Sequence, residues 1–319
     1  MKTVVFGGAG FLGSHVVDAL TERGHEVLVF DRVQSRFIRK DQLMVLGDVL
    51  DEKQVREAVK GACYVYHFAG IADIRKANEN PVDTVKYNIL GTTHVLDACV
   101  QYQVKRLVFA STIYVYSEHG GFYRSSKQAC ELLIENYSKI YGLNFSVLRF
   151  GSLYGRRANE FNFIHNAIMQ AITEKKIVRK GDGNEIRDYV NVLDAAKACV
   201  DILDEEFLNS HVMITGTQTM KVREILEMIR EMLNDEITIE YTSDRLEGHY
   251  EITPYNFRPR IAKKYVSKYY HDLGQGILDC IYDAYAALQP EGEAPLSTSY
   301  RSGLPIEDRS AKRSQSNKK

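Results

Sequence analysis

Through the first 150 residues, short runs of β-branched and aromatic residues alternate with stretches whose apolar residues recur every third or fourth position. That rhythm admits few folds. Strands are predicted at 3–6, 26–30, 43–46, 63–68, 106–110 and 145–148. Helices are predicted between them at 11–23, 51–60, 82–103 and 122–141, with Gly24 and Gly142 placed to end the first and last. Strands separated by helices pair in parallel through crossovers, because only hairpin-joined strands can turn straight back. The expected fold is α/β, a doubly wound parallel sheet over residues 1–150. Helical stretches near 160–173, 192–206 and 220–234 then interleave with short strands at 186–190, 211–215 and 236–241. They predict a smaller mixed α/β lobe over 151–288, packed at the carboxyl ends of the strands and expected to be mainly substrate-binding. Apolar periodicity vanishes over 289–319, and this tail is expected to be disordered.

Charge narrows the possible partners. Forty-one basic residues face 42 acidic ones, so no overall field draws the chain to nucleic acid or an anionic membrane, and neither is expected as a partner. No apolar run approaches the roughly 18 residues of a membrane span. The five cysteines are odd in number and lack CxxC spacing, which predicts reduced thiols in a cytoplasmic protein. His67, His94, His119, His165 and His249 are not grouped with carboxylates at ligand spacing, so no metal is expected.

The first chemical signal is Gly7-Gly8-Ala9-Gly10-Phe11-Leu12-Gly13, which follows the first predicted strand and opens the first predicted helix. In that context the glycines permit a tight turn and a close approach of backbone to a pyrophosphate, whose charge meets unpaired amides at the helix start. Asp31 ends the second strand eighteen positions past Gly13. A carboxylate there accepts both hydroxyls of an adenosine ribose and repels a 2′-phosphate, so the expected cofactor is NAD rather than NADP. Arg32 and Arg36 are the neighbouring cations that would work against this preference.

A second signal is Tyr123 with Lys127, four apart on a predicted helix and so on one face. An ammonium beside the phenol favours phenolate and is expected to lower the tyrosine pKa toward the range of a general base. One helix earlier, the strand ending Ala110-Ser111-Thr112 offers a hydroxyl to the same substrate oxygen.

Taken in order, these motifs resemble the extended short-chain dehydrogenase/reductase family, in its nucleotide-sugar epimerase and dehydratase branch with the UDP-glucose 4-epimerase-like enzymes. The resemblance spans roughly residues 2–200. It implies a Rossmann domain in which Gly7, Gly10, Phe11, Leu12 and Gly13 form the NAD turn, Asp48 and Val49 contact adenine, and Phe68, Ala69 and Gly70 lie beside the pyrophosphate and ribose. Asn88 matches the family's helix asparagine, and Phe150 belongs to the segment lining the nicotinamide. The resemblance assigns catalysis to Thr112, Tyr123 and Lys127, and substrate binding to Thr112, Ser152, Asn162 and Arg187, the last gripping a nucleotide diphosphate. It also implies a nucleotide-diphosphate sugar as substrate and a homodimer built by the helices around 82–103 and 122–141.

The chain departs from the family pattern in three places. Tyr123 follows Thr112 by only eleven positions, where relatives carry a longer, proline-containing loop, so a site either more open or shaped for an unusual sugar is expected. Ser152 stands where an asparagine is usual. The usual second phosphate arginine is missing beyond residue 240; Arg258, with Arg260 and Lys263, either replaces it or forms a solvated basic loop. His249-Tyr250, just before that segment, is read either as reaching the cleft or as packed away from it. The leading functional reading is an NAD-dependent epimerase acting through a 4-keto sugar in surface-polysaccharide synthesis. A sugar 4-dehydrogenase and a non-catalytic NAD sensor are the alternatives. Ile113 and Tyr114, directly after Thr112, supply no carboxylate, so dehydratase and decarboxylase activity are not expected.

Overall fold

The computed structural model describes residues 1–234, 236–243, 248–251, 263–265 and 271–288, with the backbone alone at 218, 263 and 264. Its strands are β1 (Lys2–Phe6), β2 (Glu26–Asp31), β3 (Leu43–Leu46), β4 (Tyr64–His67), β5 (Arg106–Thr112), β6 (Phe145–Phe150), β7 (Ser152–Tyr154), β8 (Lys176–Lys180), β9 (Ile186–Asn191), β10 (Ser210–Ile214), β11 (Gln218–Lys221), β12 (Thr238–Thr242) and β13 (Lys263–Lys264). Eight of them form one sheet in the order β13-β10-β6-β5-β4-β1-β2-β3, and every pairing in it is parallel. The doubly wound sheet expected from the sequence is therefore present.

Burial on both faces explains why these strands read as almost continuous apolar runs. Val4, Phe6, Val65, Leu107, Phe109 and Val147 pack into one core, while Val5, Val29, Tyr66, Val108, Leu148 and Val212 pack into the core on the opposite face. The second core draws on the helix Val192–Asp201, which lies against Phe11–Glu22. That helix, β10 and β13 are pieces of the second half that return to the main sheet.

Elsewhere, β11, β9 and β7 form a three-stranded sheet, and β12 pairs in parallel with β8. Helices Phe163–Glu174, Val222–Met232 and Leu273–Leu288 bury Ile164, Ile168, Ile225, Leu226, Ile229 and Ile277 against Tyr154 and Tyr189 in a separate core. The last helix, β7, β8 and β11 have no counterpart in the sequence-based expectations.

One predicted helix differs in kind. Over 82–103 the chain forms Pro81–Thr84, a π-helical turn at Val85–Leu90, and Gly91–Gln101. The π turn is tied to tertiary bonds made by Asn88, described below, which local periodicity does not report.

Sheet register then sets the site. Phe6 pairs with Phe30 and with His67, His67 with Phe109, and Thr112 with Phe150, so the carboxyl ends of β1, β2, β4, β5 and β6 share one edge, where β5 and β6 project three residues further than β4. In open α/β sheets this edge is where ligands bind.

Candidate active site

A single cleft of about 1180 Å³ runs along that edge, walled by the glycine turn at one end and by residues of the β7–β12 region at the other. At the first end, Gly7 takes a positive φ of 79° and its amide donates to Phe30 O at 2.9 Å. A Cβ on Gly7 would lie 2.5 Å from Ala69 N, and one on Gly13 would lie 2.2 Å from Gly7 O. The turn is thus closed to any side chain at these two positions. Gly10 opens the helix Phe11–Glu22 with extended backbone and no side-chain cap, and Phe11, Leu12 and Gly13 of its first turn face the cleft. Uncapped amides in a wall of bare backbone fit a pyrophosphate.

Asp31, also in the wall, accepts from the amides of Ala9 (3.0 Å) and Val33 (3.2 Å), which aim its carboxylate back toward the turn. Arg32 lies over the Tyr87 ring at 4.8 Å, with Asp48 3.9 Å away, while Arg36 is exposed. Val49, Phe68, Ala69, Gly70 and Phe150 line the cleft as well. Asp48 and Asn88 do not. Asp48 accepts from the Leu50 amide at 2.9 Å. Asn88 is buried behind the wall, accepting from Ile71 N at 2.7 Å and donating to Ile71 O at 3.0 Å and Ser126 Oγ at 2.9 Å. It shapes the loop that follows Gly70 instead of touching the cavity.

Midway, the helix Gly121–Tyr141 presents Tyr123 and Lys127 to the cleft beside Thr112, whose hydroxyl favours the Tyr123 phenolate. Thr112 and the two helix residues are therefore brought together as the sequence predicts. The electrostatics differ from expectation. Lys127 Nζ donates to Ala110 O at 2.8 Å and stands 4.7 Å from the Phe109 ring and 5.9 Å from the Tyr123 ring. Burial pushes the Tyr123 phenol up to about 12, outweighing the Thr112 hydrogen bond that favours phenolate. Burial likewise lowers the Lys127 pKa, against the opposing pull of Cys130 and Glu131. Lys127 alone does not make Tyr123 a base, because desolvation is the larger effect.

One turn further along, Glu131 anchors the helix from beneath. It accepts from Ser111 Oγ at 2.5 Å and from Arg149 Nε and Nη2 at 3.0 and 2.6 Å, with both ion-pair partners almost fully buried. Arg149 Nη1 also donates to the Tyr116 hydroxyl. This network joins the helix Gly121–Tyr141 to β5, to β6 and to the turn Ile113–Tyr116.

At the far end, Ser152 and Asn162 are in the wall, and Asn162 also caps the helix Phe163–Glu174, donating to Leu153 O at 2.7 Å and accepting from His165 N at 3.2 Å. Arg187 reaches the cleft beneath the Tyr250 ring, 4.1 Å from its centroid. Arg179 and Lys180 join it, and neither was singled out in the sequence; their position directly before Gly181-Asp182-Gly183 was the available signal. Arg179 is paired with Glu185 at 2.7 Å.

His249 and Tyr250 also line the cleft. Gly248 O accepts from the Gly120 amide at 2.8 Å, and Glu251 O accepts from the Ile186 amide at 2.8 Å. The short connection before Tyr123 is thus covered by 248–251. Arg258 and Arg260 lie outside the described residues, as do the side chain of Lys263 and the tail 289–319. Among the described residues no group of three His, Cys, Asp or Glu side chains is placed to hold a metal ion, and no helix is long and apolar enough to cross a membrane.

Comparison with known proteins agrees with this geometry. The chain is 32% identical over 250 residues, 71% of its length and 81% of the relative's, to a provisional UDP-glucose 4-epimerase of Methanocaldococcus jannaschii. It is 26% identical over 291 residues, 82% of the chain and 90% of the relative, to a UDP-N-acetyl-α-D-glucosaminuronate decarboxylase of Bacillus cytotoxicus. The crystal structure of Thermus thermophilus UDP-glucose 4-epimerase in complex with NAD superposes with a TM-score of 0.79 at 26% identity, covering 90% of this chain and all of that one. Residues 3–214 match the model of the NAD dependent epimerase/dehydratase family. With a glycine cradle shaped for a dinucleotide and Thr112, Tyr123 and Lys127 beside it, the chain belongs to the NAD dependent epimerase/dehydratase family, an enzyme of nucleotide-sugar chemistry with NAD as cofactor.

Proposed function

We propose that the protein is a nucleotide-sugar 4-epimerase that works through a 4-keto sugar. The observation that carries this reading is the meeting of Thr112, Tyr123 and Lys127 in the wall of one continuous cleft, between a dinucleotide cradle and a cation-lined far end. When bound along the Gly7–Gly13 turn, NAD would supply the acceptor and later donor of hydride, and a positive charge that favours phenolate. Tyr123 removes the C4 hydroxyl proton as C4 is oxidised and returns it when the ketone is reduced. Thr112 hydrogen-bonds the same oxygen, and Lys127, held by Ala110, adds its charge to the favouring of phenolate. Arg187 and Lys180 offer cations to a nucleotide diphosphate. Ile113 and Tyr114 leave no carboxylate directly after Thr112, which favours return of hydride over elimination or decarboxylation.

The test is incubation of the NAD-loaded protein with a panel of nucleotide sugars that includes UDP-glucose and UDP-glucuronic acid, read by mass spectrometry, chromatography and absorbance. An isomer of unchanged mass, with no accumulating NADH, is expected. A product lighter by two hydrogens with stoichiometric NADH would make the protein a 4-dehydrogenase, and loss of water or CO2 would overturn both readings. The same proposal includes a homodimer. Leu90, Phe122, Leu132 and Ile140 are 46%, 49%, 48% and 70% exposed along the two helical segments that a second copy would cover. Analytical ultracentrifugation checks it, with a monomer at micromolar concentration as the contrary result.

A further inference from the structure

Proton transfer at C4 uses Thr112 and Tyr123 and leaves a neighbouring pair in the cleft wall without a task. Tyr114 lies two positions past Thr112, its ring centroid 6.4 Å from that of Tyr123, so it borders the space beside the reacting oxygen. Its hydroxyl is 2.8 Å from His249 Nδ1, and the two rings meet edge to face at 6.1 Å. The pair is firmly held. His249 sits in the segment pinned at Gly248 to Gly120 and at Glu251 to Ile186, and Tyr114 packs on Tyr250 with ring centroids 4.7 Å apart.

Protonation follows from the surroundings. Burial raises the Tyr114 phenol well above its usual range, and burial, with Arg187 and Arg179 nearby, holds the His249 imidazole down to about 4. At neutral pH both groups are uncharged, and the phenol keeps the proton it donates to Nδ1. The imidazole proton then resides on Nε2, to which nothing among the described residues bonds. The result is a neutral N–H donor in the cleft wall, separated from Tyr123 by the Tyr114 ring that contacts both.

We propose that His249 is a specificity residue of the sugar site, donating from Nε2 to an uncharged hydroxyl or amide-carbonyl oxygen on a carbon beside C4, with Tyr114 as the positioning residue that fixes its tautomer. The proposal rests on the nucleotide-sugar reading above. A site built to bond a substrate oxygen discriminates far better than an apolar pocket, because a missing partner leaves a buried polar group unpaired.

The experiment measures binding of UDP-glucose and UDP-glucuronic acid to the NAD-loaded wild type, His249→Phe, His249→Gln and Tyr114→Phe by calorimetry, with kcat/KM where turnover occurs. His249→Phe is expected to weaken UDP-glucose about tenfold or more at unchanged NAD affinity. His249→Gln, whose side-chain amide keeps an N–H near the same place, is expected to recover most of that loss. UDP-glucuronic acid, which carries the same hydroxyl on the carbon beside C4, is expected to be weakened by His249→Phe about as much as UDP-glucose. The 15N shifts of His249 should report the Nε2–H tautomer in the wild type and a mixture in Tyr114→Phe. Equal losses for Phe and Gln, a loss confined to one of the two sugars, or no binding of UDP-glucose would overturn the proposal. Binding of UDP-glucose without turnover would instead count against the reaction, while the binding ratios still decide the role of His249.

Discussion

The two ends of the cleft are made of different material. The cofactor end is mostly backbone: the turn from Gly7 to Gly13, the Asp31 carboxylate aimed by two amides, and the segment Phe68–Gly70. The sugar end is mostly side chains, and Tyr114, Ser152, Asn162, Arg187 and His249 come from five separate stretches of chain. A wall of backbone depends on the fold and is hard to alter without breaking it. A wall of side chains can be changed one group at a time, which is how one architecture serves many sugars.

Substitutions can separate the two ends, and the largest effect is expected at the seam. Tyr123→Phe should lower turnover about 10²- to 10⁴-fold, leaving NAD affinity and the melting temperature near their wild-type values. Loss of NAD together with turnover would show that the ends are not independent.

Next comes the layer beneath both. Glu131→Ala leaves the Arg149 charge buried without its carboxylate, for which a cost of about 3–5 kcal/mol is expected in urea unfolding. A change under about 1 kcal/mol, the scale of an exposed pair, would mean that water reaches Arg149.

Arg187→Ala should act at one end only. Removing a charge-assisted contact worth about 1.5–3 kcal/mol predicts UDP-glucose binding weaker by roughly ten- to a hundredfold, with NAD binding unchanged. Equal loss of both ligands would contradict the separation drawn above.

The smallest effect is expected at Asp31. Competitive titration should show NAD preferred to NADP, and Asp31→Ala should narrow the gap by about tenfold, the scale of one charge-assisted contact. Equal affinities in the wild type would mean that Arg32 leaves Tyr87 and Asp48 to meet a 2′-phosphate.

The same contrast explains what could be read from sequence. The glycine turn, Asp31 and the Tyr123/Lys127 pair are fixed by spacing within one strand–turn–helix unit or one helix, and the structure brings each to the cleft. Thr112 was legible because a strand end is. The balance at Tyr123 was not, since it turns on how deeply the helix is packed and on Ala110 O occupying the Lys127 ammonium. Nor was the cover over the short connection before Tyr123, because the bond between Gly120 and Gly248 joins residues 128 positions apart. Arg179 and Lys180 had only their place before Gly181-Asp182-Gly183 as a signal, and it is β8 that sets them in the cleft wall.

The π turn at Val85–Leu90 has a consequence for comparing this chain with others. Each of its hydrogen bonds spans one residue more than in an α-helix, so the positions after it are out of phase with those before it. Asn88 faces inward to Ile71 while Leu90 faces out. A gap-free alignment with an unbroken α-helix would match inward residues to outward ones on one side of the turn. Placing a single-residue gap within 85–90 keeps the buried asparagine and the exposed apolar face each matched to its own kind.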